Sequence, residues 1–515
     1  NGSPTPRFLG TCGRYRQGVS VGWADKYAFT LPDQYIDVNT MPAGIYRLIF
    51  NVDPRRHFIE SRADNNTSVA LVYIDPAKNI MKTNAAKPDM FVIRAKGSGA
   101  LYVINDNGYR RRILSPDILG SYGFKSTNIA DFEEMAFGRF PETDLIMKKG
   151  DTKVFSVATK KYIGLFSELE SLGYKKESVH IVNDTDFKAY AVQVLAKDLF
   201  VPWDIAPLPD GDMLVTERSG AVRRLGKRTA TIDIPAIHNI GEGGLMGIAL
   251  HPDFVANKFV YLYFTTTDNG KSNRVQRFRL EGDQLIADKI IVRDIPAALY
   301  HDGGQIAFGA DRMLYITTGD AETPALAQNL NSIAGKTLRF TPYGEIPSDN
   351  PFGTSVWSYG HRNAQGITWD AQGRMWETEH GRSGALSGLD ELNLIEKGKN
   401  YGWPTIQGDE TRAGMVTPVR HSGATTTWAP SGIAYLNGSL FFAGLRGSSL
   451  YEARIGTDGK VTAFKAHFAN QYGRLRAVVV GNDGFLYVTT SNRDGRGTVR
   501  AGDDKILKIN PEFLR

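Results

Sequence analysis

The chain has 515 residues, more than one hydrophobic core usually organises, so we expect two or more domains. Its 54 glycines and 23% charged residues fit a turn-rich β protein better than a helical one. The formal net charge of +6 is small for this length. Nucleic acid is therefore not an expected partner, and we interpret basic groups such as Arg110–Arg112 as solvated faces. No run of 18 apolar residues predicts a membrane span.

The cysteine content and the first residue bear on processing and location. A single cysteine, Cys12, excludes an internal disulfide framework and a cysteine-based zinc or haem site. The chain starts at Asn1 without a methionine, from which we expect that processing has removed upstream residues. The expected location is outside the cytoplasm, as a secreted, periplasmic or cell-surface protein.

Residues 1–77 are predicted to form a small β-sandwich. Alternating apolar residues with turn residues between them indicate half-buried strands over residues 35–38, 44–50 and 69–74. The segment resembles the C-terminal end of the lysyl oxidase catalytic domain through three motifs, at residues 17–27, 34–38 and 60–66.

The lysyl oxidase resemblance implies a possible amine-oxidising centre, which the residues present do not complete. In that family a tyrosine at the position of Tyr27 forms part of a quinone beside a copper ion held by closely spaced histidines. No histidine precedes His57 in this chain. We therefore interpret Tyr27 as an ordinary packed tyrosine, and copper-dependent amine oxidation remains a third, disfavoured hypothesis.

Residues 80–192 contain an internal duplication. The pattern that starts at Val92–Gly97 and ends at Asp131–Phe132 recurs from Leu145–Gly150 to Asp186–Phe187. Each copy is typical of a hairpin followed by one short helix, such as Ser167–Leu172. The copies lack clustered histidines, cysteines or paired acids, which favours a structural or envelope-attachment module over an enzyme.

The remaining residues, 193–515, repeat one strand-turn-strand phrase six times. The first strands are at residues 203–206, 247–250, 305–308, 365–368, 431–434 and 476–479. Six such units at irregular spacing predict a six-bladed β-propeller with long inserted loops. Because an unclosed ring would leave two sheet edges exposed, we expect residues 191–195 to pair with residues 505–509.

Polar residues are concentrated just before and after the repeated strands, where loops meet at one end of a propeller. They lie in these segments: His301–Gln305, Thr317–Asp320, Tyr359–Gly366, Glu377–Arg382, Asp390–Asn393 and Asn400–Pro404, with Arg446, Arg474 and Arg476. One mouth would thus gather histidines, several cations and glycine backbone.

This constellation resembles the glucose/sorbosone dehydrogenase family, soluble sugar dehydrogenases that use pyrroloquinoline quinone (PQQ). The likeness covers about residues 196–512 and includes Gly241–Ala249 and Thr489–Asp494. PQQ carries three carboxylates, so several cations are needed to hold it. The resemblance implies cofactor contacts from Glu242, Arg362, Asn363, His380, Arg446, Arg474 and Arg476. It also implies calcium bound through the backbone carbonyls of Gly381 and Arg382, since calcium prefers oxygen ligands.

The resemblance assigns the catalytic base to His301. A neutral histidine suits removal of a hydroxyl proton near pH 7 while hydride leaves carbon. Asp320 either orients this imidazole or caps a turn. We expect His361 to pack beneath the arginines and His380 to border the cofactor.

Two hypotheses of different class follow for the propeller. The first is a calcium- and PQQ-dependent dehydrogenase for a sugar or another alcohol, with an external electron acceptor because no Cys-x-x-Cys-His haem motif is present. The alternative is a catalytically silent secreted propeller that binds a polysaccharide or an envelope protein.

Overall fold

The computed structural model describes residues 40–42, 44–51, 67–75, 80–83, 91–105, 107–124, 129–268, 270–384 and 387–514. The chain divides into two compact units, residues 1–187 and 188–515. Strands dominate the described part of both, which confirms the predicted mainly β class. No described helix is long and apolar enough to cross a membrane.

The first unit begins with one described antiparallel sheet, ordered β1 (Gly44–Asn51), β2 (Thr67–Asp75) and β3 (Ile80–Thr83). Strands β1 and β2 contain two of the three predicted strands. The third predicted strand, residues 35–38, and Tyr27 lie outside the described residues. The sandwich over residues 1–77 therefore remains a prediction.

Two copies of one small α+β fold follow. The first contains β4 (Phe91–Ala95), β5 (Tyr102–Ile104), β6 (Arg110–Arg112), α1 (Pro116–Ser121), β7 (Ile129–Phe132) and α2 (Glu134–Phe137). The second contains β8 (Leu145–Lys148), β9 (Lys153–Ser156), β10 (Lys161–Leu165), 3₁₀ helices Phe166–Leu172 and Lys176–Ser178, β11 (His180–Val182) and α3 (Asp184–Ala189). The sheets are ordered β6-β5-β4-β7 and β10-β9-β8-β11. In each sheet the strand that comes last in the chain pairs in parallel with the strand that comes first, β7 with β4 and β11 with β8.

The shared topology is richer than the predicted hairpin with one helix. Each copy adds a third antiparallel strand, a parallel fourth strand and a second helix. Strands β6, β7 and β11 contain only three or four residues. Such short strands show too little alternation to be recognised from the sequence.

The interpretation of Arg110–Arg112 as a solvated face is wrong at Arg111. Arg111 is buried, and its Nη1 donates to Asp186 Oδ1 at 3.1 Å. The Tyr122 hydroxyl donates to the other carboxylate oxygen of Asp186 at 2.8 Å. Successive side chains of a strand alternate between faces, so Arg111 lies opposite its neighbours. Its partner is 75 residues away, beyond what a local charge pattern reveals.

The described residues of the second unit form six four-stranded antiparallel sheets. In chain order, the first sheet contains β13 (Pro202–Pro207), β14 (Met213–Glu217), β15 (Ala221–Leu225) and β16 (Ala230–Asp233), and the second contains β17 (Leu245–Leu250), β18 (Phe259–Thr266), β19 (Ser272–Glu281) and β20 (Gln284–Pro296). The third contains β21 (Ile306–Phe308), β22 (Leu314–Thr318), β23 (Lys336–Phe340) and β24 (Val356–Tyr359), and the fourth contains β25 (Ala364–Trp369), β26 (Met375–Glu379), β27 (Glu391–Ile395) and β28 (Arg420–His421). The fifth contains β29 (Pro430–Leu436), β30 (Ser439–Gly444), β31 (Ser449–Ile455) and β32 (Val461–His467).

The sixth sheet joins the two ends of this unit. It contains β33 (Leu475–Val480), β34 (Leu486–Thr490), β35 (Ile506–Ile509) and β12 (Val192–Ala196). Val192 pairs with Ile509 in an antiparallel register, which confirms the predicted closing pair. The described helices of this unit are short: α4 (Phe254–Asn257) and 3₁₀ helices Pro324–Gln328 and Pro511–Leu514.

The first strands of the six sheets form a ring. Each contacts the first strand of the next sheet, and β33 contacts β13. The six sequence repeats lie on the first two strands of these sheets. Buried apolar side chains fill the space between neighbouring sheets, as Tyr261 and Tyr263 do with Ile306 and Ile316. Burial of this apolar surface stabilises the ring.

Bulges shape the first strands at the end where they begin. Five of the six contain a register shift, which re-aims side chains locally. Gln365 and Arg476 lie at two of these shifts, and Arg476 Nη1 donates to Gln365 Oε1 at 3.2 Å. Gly366 permits close approach of the adjacent sheet, because a β-carbon there would lie 2.5 Å from the Ser431 carbonyl oxygen. The bulges thus bring polar groups of different sheets together.

Candidate functional site

A cavity of about 670 Å³ opens at this end of the ring. In an antiparallel pair the loop before the first strand and the loop after the second lie at the same end, so all six sheets can contribute. Seven arginines line the cavity, against four acids. The arginines are Arg218, Arg362, Arg382, Arg446, Arg474, Arg476 and Arg496, and the acids are Glu242, Glu322, Asp390 and Asp494. The excess of cations suits an anionic ligand.

Nine of the eleven predicted site residues line this cavity. They are Glu242, His301, Arg362, His380, Gly381, Arg382, Arg446, Arg474 and Arg476. The other two, Asp320 and Asn363, are fully buried behind the cavity wall. The sequence motifs, which span more than 230 residues, therefore converge on one place.

His301 lies in the loop before β21 and is held by a buried carboxylate. Its Nδ1 donates to Asp320 Oδ1 at 2.8 Å, and its side chain is 16% exposed. This bond fixes the tautomer in which Nδ1 carries the proton and Nε2 is an acceptor. No described protein group bonds to Nε2. This nitrogen can therefore accept a proton from a ligand.

Asp320 performs both of the functions considered for it. Its Oδ1 accepts the His301 bond and also a bond from the Glu322 backbone N–H at 2.9 Å, as a turn cap does. Its Oδ2 accepts from Trp403 Nε1 at 2.8 Å. The carboxylate is fully buried, so these bonds hold it in one orientation.

The backbone at His301 adopts an uncommon conformation. Its φ is +65°, a left-handed value that a non-glycine residue seldom adopts. The Glu242 carboxylate accepts the His301 backbone N–H at 3.1 Å. Gly319 packs so closely that a β-carbon there would lie 1.7 Å from the His301 carbonyl oxygen. The surroundings thus impose this geometry, as is usual for functional sites.

Glu242 connects three parts of the cavity wall. Besides His301, its carboxylate accepts from Arg496 Nη1 at 3.0 Å and from Asn363 Nδ2 at 3.4 Å. Burial would raise the pKa of Glu242, but nearby His380, the His301 N–H and Arg496 together lower it. Glu242 is therefore ionised near neutral pH. Asn363 also accepts from the Gly303 backbone N–H at 3.0 Å, so it supports the wall from behind.

Arg474 and Arg476 lie side by side on the last sheet. Arg474 Nε donates to Asp494 Oδ2 at 2.8 Å, and Arg476 Nε donates to Ser491 Oγ at 3.3 Å. Burial lowers the pKa of Arg476 to about 10, so it remains charged at neutral pH. Each guanidinium has few described protein partners for its nitrogens, which leaves donors available to an anion.

Two further predicted cations line the same cavity. Arg362 Nη2 donates to Ser383 Oγ at 2.8 Å, and its guanidinium carbon lies 5.3 Å from the centre of the Trp403 ring. Arg446 follows β30 and is exposed at the cavity. Several cations in one cavity can bind several carboxylates of one ligand.

The segment predicted to bind metal lies beside a half-buried histidine. His380 Nε2 is buried without a described hydrogen-bond partner. Burial, together with the charges of Arg362 and Arg476, lowers the pKa of His380 to about 4, although Asp390 and Glu242 oppose the shift. His380 is thus neutral near pH 7, and its unpaired nitrogen is available to a ligand.

The next two residues, Gly381 and Arg382, offer backbone carbonyl oxygens to a ligand. Gly381 donates its N–H to Asp390 Oδ1 at 2.9 Å, and no described group bonds to its carbonyl. A β-carbon on Gly381 would lie 2.3 Å from the carbonyl oxygens of Gly388 and Leu389, so only glycine fits. The Arg382 carbonyl accepts from the Gly388 N–H at 3.3 Å, which leaves one lone pair. These oxygens are of the kind that calcium prefers.

His361 does not line the cavity and is fully buried among acids. Its Nδ1 is 3.1 Å from Glu377 Oε1 and 3.0 Å from Glu379 Oε2. Burial opposes protonation, but these two carboxylates raise the pKa of His361 to about 10. The imidazolium balances the buried acids, so we assign the cluster a structural role.

Sequence reasoning missed Arg218 and Arg496. Arg496 Nη1 contacts Glu242, and the Arg496 guanidinium carbon lies 5.2 Å from the centre of the Tyr300 ring. Arg218 directly follows β14 and Arg446 lies two residues after β30, so both arginines follow the second strand of a sheet. Position within the repeat would have identified Arg218. Arg496 lies in a long loop and has no such signal.

Comparison with known proteins agrees with this site. The profile of the glucose/sorbosone dehydrogenase family matches residues 199–501. Aldose sugar dehydrogenase YliI of Escherichia coli is 31% identical over 357 residues, which cover 62% of this chain and 92% of the relative. Quinoprotein glucose dehydrogenase B of Acinetobacter calcoaceticus is 31% identical over 261 residues, or 43% of this chain and 54% of the relative.

A solved structure of a sugar dehydrogenase is also similar to this chain. The PQQ-bound aldose sugar dehydrogenase of Streptomyces coelicolor is 41% identical, with a TM-score of 0.58, and the match covers 62% of this chain and 98% of that one. The lysyl oxidase profile matches residues 5–84, which confirms the N-terminal resemblance.

The site and these matches define a sugar-oxidising quinoprotein. The chain belongs to the glucose/sorbosone dehydrogenase family. The predicted enzyme class, a PQQ-dependent sugar dehydrogenase acting on CH–OH groups, is confirmed. The catalytically silent propeller has no support among these relatives.

Proposed function

We propose that the ring is a six-bladed propeller that oxidises the CH–OH group of a sugar by hydride transfer to calcium-bound PQQ. The observation that carries this proposal is the His301–Asp320 pair on the wall of an arginine-rich cavity. A proton acceptor and an anion site within one cavity are what such a reaction requires.

The cavity suits PQQ in charge and donor set. Its three carboxylates would be held by Arg362, Arg446, Arg474 and Arg476. The unpaired Nε2 of His380 offers a further polar contact. Glu242 and Asn363 bond to each other and support the cavity wall near His301. When bound, PQQ supplies an electrophilic carbonyl carbon that accepts hydride.

Calcium would lie at the Gly381–Arg382 backbone. The free Gly381 carbonyl and the remaining lone pair of the Arg382 carbonyl are the donors that favour this position. Calcium there would polarise the quinone as a Lewis acid. Asp390 is already occupied in holding the loop, since its Oδ2 accepts from Thr427 Oγ1 at 2.7 Å and from the Ala429 N–H at 2.9 Å.

His301 would act as the general base. Its Nε2 accepts the proton of the sugar hydroxyl while the hydrogen on the same carbon departs with its electron pair. The imidazolium that forms is stabilised by the Asp320 carboxylate, 2.8 Å from Nδ1. Glu242 keeps His301 in place through the backbone N–H.

Other parts of the chain define the context of this reaction. We propose residues 1–77 as a lysyl oxidase-like β-sandwich, residues 80–192 as a duplicated envelope-attachment module and residues 193–515 as the propeller. An envelope polysaccharide is a partner consistent with that module. Electrons would leave to an external acceptor, and the protein would act in the periplasm, at the cell surface or after secretion.

Reconstitution of the full chain tests the proposal. Addition of PQQ and calcium is expected to give a coloured complex that loses its quinone absorbance when an aldose is added. A binding protein without activity would bind the quinone without bleaching. A protein that bound no quinone would refute the proposal.

A shorter chain tests whether the propeller alone carries the site. Because β12 pairs with β35 and completes the sixth sheet, residues 188–515 contain every strand of the ring. We expect this fragment to fold and to bind calcium and PQQ with the affinity of the full chain, measured by calorimetry. Cofactor binding by the intact chain only would show that the first unit forms part of the site.

A further inference from the structure

Trp403 contacts both the carboxylate that holds the proposed base and an arginine of the cavity wall. Its indole Nε1 donates to Asp320 Oδ2 at 2.8 Å, while Asp320 Oδ1 faces His301. Its ring faces the Arg362 guanidinium, whose carbon lies 5.3 Å from the ring centre. One side chain therefore contacts both halves of the site.

The backbone of Trp403 is fixed by its own bonds. Its N–H donates to the Gly360 carbonyl at 2.9 Å, and its carbonyl accepts from Gln328 Nε2 at 2.7 Å. Asp320 in turn donates its backbone N–H to the Arg362 carbonyl at 2.8 Å. The indole is thus delivered to the buried carboxylate in one orientation.

We propose that Trp403 is a positioning residue for sugar oxidation, which holds Asp320 so that one oxygen bonds His301 and which stacks on Arg362 toward the cofactor. This inference rests on the proposed role of His301 as base. Trp403 itself does not line the main cavity, so it acts through its two neighbours.

The indole N–H opposes protonation of His301. The positive end of the N–H dipole lies against the Asp320 carboxylate. It therefore weakens the attraction of this carboxylate for an imidazolium. Loss of the N–H leaves a buried carboxylate oxygen unpaired and strengthens the attraction between Asp320 and imidazolium. The acid limb of the pH–rate profile should then lie at higher pH.

Other charges around His301 would not change. They are Asp320, Glu242, Glu322, Asp302, Arg362, Arg496 and His380. A shift caused by removal of one indole N–H is therefore attributable to that bond.

The test replaces the indole by a ring without a donor. Trp403→Phe in the full chain is expected to move the acid limb of its pH–rate profile upward by about 0.5 to 1 unit, and so to lower turnover on that limb by about 3- to 10-fold. The imidazole titration of His301, followed by NMR without cofactor and identified by its loss in His301→Gln, should move in the same direction. PQQ affinity should change little, because a ring still faces Arg362.

Trp376→Phe is the matched control. Trp376 Nε1 also donates to a carboxylate, Asp370 Oδ2 at 2.9 Å, but it lies away from the cavity. This variant should keep the native pH profile and the native His301 titration. The same shift in both variants would overturn the proposal, as would an unchanged His301 titration in Trp403→Phe.

A measurement on the native chain covers the case in which Trp403→Phe does not fold. The indole N–H signal of Trp403 should exchange slowly with solvent and should change with pH over the range in which His301 titrates. A rapidly exchanging, pH-independent signal would overturn the positioning role. Failure of the proposed function would be recognised by a different result, namely native turnover by His301→Gln.

Discussion

His301→Gln is expected to bind PQQ normally and to lose turnover by about 10²-fold or more, the scale of general-base catalysis. Glutamine has similar polarity and can still bond to Asp320, but its amide is not a base near neutral pH. Steady-state kinetics with an aldose, together with a quinone titration of the same preparation, would separate the two effects.

A second histidine variant controls for nonspecific loss. His467→Gln removes a histidine whose Nε2 lies 2.9 Å from Glu452 Oε2, outside the cavity. It should keep native turnover. Near-native turnover in His301→Gln would remove His301 from the role of base.

Arg474→Gln and Arg476→Gln are each expected to weaken PQQ binding by about 1.5 to 3 kcal/mol, the value of a charge-assisted hydrogen bond. This corresponds to about a 10- to 150-fold increase in Kd. The reason is that each variant removes one guanidinium from the wall that faces an anionic ligand. Calorimetric titration of the variants with PQQ in excess calcium would measure the change.

The matched control is Arg493→Gln, on the same sheet's loop. Arg493 Nε donates to the Asp503 carbonyl, and its side chain does not line the cavity. PQQ affinity should be unchanged in this variant. Native titration curves for both Arg474→Gln and Arg476→Gln would give these arginines a purely structural role between sheets.

The sequence predicted the inner part of the ring better than its outer part. The six repeated phrases mark the first two strands of each sheet because those strands are buried between neighbours, as in β22, where all five residues are buried. Outer strands such as β32 carry mostly exposed or half-buried residues with no regular alternation. Because outer strands face solvent, many residue types are compatible with them, and no repeated sequence pattern marks them.

The site was predictable where it lies at the ends of those repeated strands. His301 lies in the loop before the first strand β21, Arg474 directly precedes the first strand β33, and Arg446 follows the second strand β30. The bond from Trp403 to Asp320 joins residues 83 positions apart in long loops. No local pattern fixes such a contact, because only the closed ring brings these loops together.

The most direct test is single-turnover reduction of PQQ bound to the full chain, followed by its absorbance, with an aldose that carries hydrogen or deuterium at C1. Native protein should bleach on addition of the aldose, and more slowly with deuterium. His301→Gln should retain the coloured complex and bleach far more slowly. A native complex that binds PQQ and is not bleached by aldoses would contradict the proposed oxidation.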